Sequence, residues 1–233
     1  MSLWSRISDA LAALAQGEGL AAIFDKLRTA PERSVAFTIA VIALSAKMAK
    51  ADGLVTRDEV MAFREVFHIS PNDERAAARV FNMARADVAG FEDYAMRIAR
   101  MFRVDGKPCG IDNVLCDLME GLFHIAAADG DYHPNEDVFL ERVAEIFGMT
   151  ENDFYRMRAR HVPNPAPDPY TILGVGEDMP FDDIRAAWRA EGRATHPDRM
   201  LARGVPPEAV KLAEKRLVAI NRAWEEITKR HAQ

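Results

Sequence analysis

Residues 181–198 read FDDIRAAWRAEGRATHPD, and they decide the fold class. Alanine, arginine and glutamate are strong helix formers. Ile184 and Trp188 stand four apart, on one face. Asp182 and Asp183 occupy the first turn, where acidic side chains suit the helix dipole. The segment must stop near His196, because Pro197 pushes its predecessor out of helical geometry. A second helix is expected from Pro206 to Lys229, with Pro207 near its start. Its apolar residues Leu217, Ile220, Trp224 and Ile227 recur at helical spacing and match the stripe of the first. Two such stripes predict an antiparallel helix hairpin with an exposed loop at its tip.

Upstream lies Val162-Pro163-Asn164-Pro165-Ala166-Pro167-Asp168-Pro169, with proline at every second position. Proline lacks an amide donor, so this run cannot be helix. It reads as a stiff, extended spacer covering residues 161–169. Residues 170–233 then form a small C-terminal domain, and residues 31–160 a larger one. The larger part is again helical in composition. Phe37 to Ala51 is nearly all apolar, so that helix should be buried on most sides. Ser70 and Thr150 precede acidic turns and read as helix N-caps. Residues 1–30 carry an amphipathic segment with Leu3, Ile7, Ala10, Leu11 and Leu14 on one side, broken at Gly17 and Gly19. It has too little positive charge to favour lipid, so it should pack on the protein, although peripheral membrane contact stays open. No run alternates with period two, so the expected class is all-α.

An internal repeat lies within residues 31–160. Ala51-Asp52-Gly53 is echoed by Ala128-Asp129-Gly130, and each aspartate precedes a glutamate at the same distance, Glu59 and Glu136. Each copy reads as helix, tight turn, helix, with Thr56 and Asn135 placed to cap the outgoing helix. Asp52, Glu59, Asp129 and Glu136 could together hold a divalent cation, since hard cations favour carboxylate oxygens. They equally suit turn caps and first-turn acids. Neither copy has EF-hand spacing.

The paired Asp-Gly hairpins in an all-helical region resemble the TerB domain, named for tellurite resistance. The C-terminal third resembles the J domain closely. The opening D-P-Y-T-I-L-G-V (168–175), A-W-R (187–189), H-P-D (196–198) and I-N-R-A-W (220–224) fall in that family's order. The G-V-P-P-E that ends the long following loop (204–208) resembles the DjlA-like subfamily, which also joins a TerB region to a C-terminal J domain. The fold this implies is a TerB-like helical bundle followed by a J-domain hairpin. The function it implies is that of a co-chaperone, not an enzyme, which stimulates the ATPase of a DnaK-type chaperone and needs no cofactor. His196, Pro197 and Asp198 carry the resemblance. Arg185, Arg189 and Arg193, with Arg199 just beyond the loop, extend it to a basic surface. The same arginine spacing also describes an ordinary solvated face, and His196 and Asp198 could simply cap helix ends. Leucine and an aromatic residue are usual in that family at Glu191 and Thr195, so a weakened hairpin tip is expected here.

Net charge is −6, which gives no reason to expect nucleic acid as a partner. Cys109 and Cys116 form neither a disulfide framework nor a zinc spacing, and suit a reducing compartment. No stretch is long and apolar enough for a transmembrane helix, whereas the membrane-anchored DjlA-like proteins begin with one. The expected location is the cytoplasm. The TerB-like region is expected to choose where the chaperone acts, through a protein partner. An alternative is a stress or envelope-signalling adaptor in which that region binds a metal or protein ligand.

Overall fold

A computed structural model describes residues 3–14, 18–27, 32–52, 60–61, 64, 67, 69, 71–87, 89–103, 113–162 and 167–232. Among them every regular element is helical. The N-terminal region comprises α1 (Leu3–Ala12), α2 (Ile23–Lys26), α3 (Glu32–Asp52), α4 (Glu74–Ala86), α5 (Phe91–Phe102), α6 (Val114–Ala126), α7 (Pro134–Phe147) and α8 (Glu151–His161). The C-terminal region comprises α9 (Pro169–Leu173), α10 (Phe181–Ala194), α11 (Pro197–Arg203) and α12 (Lys211–His231).

Helix α3 is the axis of the N-terminal region and touches α1, α4, α5, α6 and α7. From Val35 to Ala49 every residue is buried, as an apolar run without a polar face demands. Lys47 lies inside as well. Its Nζ donates to the carbonyls of Asp87 (2.9 Å) and Ala89 (2.6 Å) and sits 4.9 Å from the centre of the Tyr94 ring. The charge is thus hydrogen-bonded, as burial requires. Helices α3 and α6, which lead up to the two Asp-Gly pairs in the sequence, pack on each other. Helix α1 lays Leu3, Trp4, Ile7 and Leu11 into this core, as its stripe predicts.

Thr150 caps α8 as expected: its Oγ1 accepts from the Asp153 amide at 3.1 Å, and Asp153 reaches back to the Thr150 amide. Two other caps differ from the sequence reading. Ser70 lies outside the described residues, and Asp73 holds the N-cap position of α4. Asn135 is inside the first turn of α7, and His133 is the N-cap. Proline at N1 explains the shift, because Pro134 starts the helix two residues earlier.

The C-terminal hairpin forms as predicted from α10 and α12, with α9 laid across α12. Its core is Tyr170, Leu173, Ile184, Ile220, Ala223 and Ile227. Trp188 and Trp224 stack beside it with ring centres 4.9 Å apart. Two details depart from expectation. Residues 197–203, at the start of the long loop, are helix α11. Helix α12 begins at Lys211, after a 3-10 turn over Pro207–Val210.

Candidate functional site

Helices α10 and α11 are separated by Thr195 and His196 alone. Thr195 ends α10, and its Oγ1 donates to the Glu191 carbonyl at 2.8 Å. His196 is the N-cap of α11, and its Nδ1 accepts from the Asp198 amide at 3.2 Å. Pro197 occupies the first helical position, where its missing amide costs nothing. Asp198 sits in the first turn, where the helix dipole favours a carboxylate. The turn is therefore fixed from both sides. Yet the His196 and Asp198 side chains stay 60% and 87% exposed, 3.7 Å apart. A rigid polar turn that already holds its shape loses little entropy on docking.

Helix α10 divides its residues cleanly. Ile184, Glu191 and Ala194 face inward. Arg189 and Arg193 are exposed, and Arg185 is partly so, resting over the Phe181 ring at 5.3 Å and 3.4 Å from Asp182. With Arg199, also exposed, they put positive charge on the two helices that flank the turn. The C-terminal residues named from the sequence all lie on α10, on α11 or in the turn between them.

Sequence reasoning missed what lies behind the turn. Glu191 is 1% exposed and surrounded by arginines. Its Oε1 accepts from Arg156 at 2.7 Å, and its Oε2 from Arg216 at 2.8 Å and Arg160 at 3.0 Å. Glu120 accepts from Arg160 at 2.7 Å and meets His161 at 2.6 Å. Asp117 Oδ2 accepts from Arg203 Nε and Nη2 at 3.0 and 2.8 Å. Burial alone would raise the Glu120 and Glu191 carboxyls, but the arginines around them outweigh it and hold both below the usual range. At Asp117 burial wins over Arg203 and Arg216, and its carboxyl is pushed up to about 6. The clue was local: Asp117 and Glu120 interrupt an apolar helix, and Arg216 lies among Leu212, Ala213 and Ile220.

Comparison with known proteins adds the lineage. Residues 38–159 match the family model described as tellurite resistance protein TerB, a little over half of the chain. The chain belongs to the TerB family. Along most of its length it is also DjlA-like. It is 25% identical to the co-chaperone protein DjlA of Photobacterium profundum, over 92% of this chain and 84% of that one. Against the DjlA of Salmonella typhimurium the identity is 24% over 97% of both chains. Against that of Coxiella burnetii it is 26%, over 78% of this chain and 73% of the relative. No solved structure matches significantly.

Within the TerB region, the second copy of the repeat uses its acids for local structure. Asp129 Oδ1 accepts from the Asp131 amide at 3.0 Å, and Gly130 takes the left-handed turn at φ 83°. Glu136 Oε2 accepts from the His133 amide at 2.9 Å and completes a capping box. In the first copy Asp52 closes α3, while its side chain and Glu59 lie outside the described residues, as does Thr56. Among the described residues no three histidine, cysteine, aspartate or glutamate side chains converge as metal ligands would. No helix among them is long and apolar enough to cross a membrane.

Proposed function

We propose that this TerB-family chain is a J-domain co-chaperone that stimulates the ATPase of a DnaK-type chaperone. The observation that carries the reading is the exposed His196-Pro197-Asp198 turn, held rigid between α10 and α11 beside the arginine-bearing face of α10. The named relatives, co-chaperones matched over 84% and 97% of their length, support it. The chain itself hydrolyses nothing. Its effect is a coupling free energy: on the ATP-bound partner it binds the hydrolysis-competent conformation more tightly than the resting one. Arg185, Arg189, Arg193 and Arg199 steer an acidic surface of the partner towards the turn. His196 and Asp198 then make the short-range contacts that alter the partner's conformational balance. Because that partner consumes ATP, we place the contact in the cytoplasm.

The test is single-turnover ATP hydrolysis by a DnaK-type chaperone at increasing concentrations of the full chain. His196→Gln should abolish the stimulation and leave helical content unchanged. The cap it removes is worth only about 0.5–2 kcal/mol, too little to unfold the hairpin. Full stimulation by the variant would sink the reading.

A further inference from the structure

The three charged residues of the C-terminal region that lie in the buried network all find partners across the Pro-rich spacer. Glu191 of α10 meets Arg156 and Arg160 of α8. Arg203 of α11 meets Asp117 of α6. Arg216 of α12 lies 3.6 Å from Asp117 and 3.5 Å from Glu120. Each side of the contact carries both signs, and each sign faces its opposite. Sliding or rotating one side would set arginine against arginine around Glu191, or leave a buried carboxylate alone. Backbone contacts reinforce the register: Arg160 donates to the Ile172 carbonyl and Asn152 to that of Gly174.

The apolar contacts agree. Met200, Val205, Ala209, Leu212 and Ala213 belong to the core of the N-terminal region, not to that of the hairpin. Leu212 closes on Gly121 of α6, where an added Cβ would stand 3.5 Å from its Cδ1. Gly204, at φ 98°, brings its backbone so near Arg33 that a Cβ would come within 2.9 Å of the Arg33 Cβ. At Gly204 any side chain would force Arg33 to shift, so the two regions are closely packed there.

We propose that Glu191, Arg203 and Arg216 latch the J-like hairpin into a docking surface formed by α6 and α8, so that the chain presents the His196-Pro197-Asp198 turn from a single rigid body. The TerB region is then a mount with one orientation rather than a tethered neighbour. Whatever that region binds is held at a constant offset from the turn and from the chaperone. That last consequence rests on the function proposed above, whereas the latch itself does not.

The experiment uses the full chain with a protease site inserted between Pro165 and Ala166. It is folded first, cleaved second, and run on gel filtration at about 1 µM, with no chaperone present. The two pieces should co-elute. After cleavage of the Glu191→Lys chain, which sets a fourth positive charge among Arg156, Arg160 and Arg216, they should separate. Separation of the unmutated pieces, or continued co-elution of the Glu191→Lys pieces, overturns the proposal. A second measurement covers poor folding of that variant. In the uncut Trp4→Phe chain the remaining tryptophans, Trp188 and Trp224, report on the hairpin alone, while circular dichroism reports on all helices. One shared melting midpoint is expected. Two midpoints more than a few degrees apart overturn the latch, even if ATPase stimulation is intact. Loss of stimulation with a shared midpoint would instead strike only the proposed function.

Discussion

Arg189 and Arg193 stand exposed on α10, while His196 and Asp198 stand exposed at its end, and the proposed function assigns steering to the first group and engagement to the second. The division predicts different signatures. Charges at a rim act over a Debye length, about 8 Å at physiological salt. Their removal should slow association and leave the final complex nearly as productive. The double variant Arg189→Gln, Arg193→Gln should therefore weaken chaperone binding by about two- to thirtyfold at low ionic strength, since each exposed pair is worth roughly 0.2–1 kcal/mol. The deficit should shrink to nothing near 1 M salt, where the screening length is only about 3 Å. Surface plasmon resonance across a salt series would read both limits. A deficit that persists undiminished at high salt would show that these arginines make close contacts instead. His196→Gln should behave the opposite way, with binding retained and stimulation lost at every salt concentration.

Helix boundaries were largely legible, because periodicity and punctuation are local. Residues 181–195 were expected in helix, and α10 ends one residue sooner. The buried run of α3 and the Thr150 cap followed from composition and from one acidic turn. What stayed hidden is what depends on distant partners. Glu191 and Thr195 looked like flaws at a hairpin tip. In the fold Thr195 is fully buried and bonds its own helix, while Glu191 is bonded to α8, 31 and 35 residues away in sequence. Asp117 and Arg203 are 86 residues apart. No window of sequence pairs them. Helix α11 was missed for a related reason: Gly204, Pro206 and Pro207 read as loop punctuation, but Gly204 is the left-handed C-cap of a short helix and its backbone packs against Arg33. That element supplies a prediction. Gly204→Ala places a side chain at φ 98° and against Arg33, and a strained residue of this kind costs of order 1–3 kcal/mol. Urea unfolding should show that loss in a single transition. An unchanged midpoint would mean that α11 does not sit tightly on the N-terminal region.

At the scale of the whole molecule, the latch ties stability to pH through two opposed contributions. Glu120 and Glu191 have carboxyls held below their ordinary value of 4.5 by neighbouring arginines. A carboxyl lowered on folding contributes stability above its unfolded pKa, and that contribution drains away as pH falls through and below about 4.5. Asp117 works the other way. Burial raises it from 3.8 to about 6, so the folded state binds its proton more tightly. Its cost is absent well below pH 4, grows as pH rises to about 6, and is constant beyond. The two lowered groups outnumber the raised one, so the chain should lose stability steeply below about pH 4, with a shallow opposing slope between 4 and 6. Removing one partner of a buried ion pair typically costs about 3–5 kcal/mol. Glu191→Gln should therefore destabilise the chain by that order at pH 7, because Arg156, Arg160 and Arg216 then share no carboxylate at that point. The gap between variant and parent should narrow as the parent's own Glu191 becomes protonated, and so should be smallest near pH 3. Asp117→Asn should instead remove the slope between pH 4 and 6 and leave the steep acid limb in place. Urea unfolding of the three proteins at half-unit steps from pH 3 to 8 reads all of this. A Glu191→Gln deficit that stays the same at every pH would show that this glutamate is not a charged member of the network, and would leave the latch without its central pair.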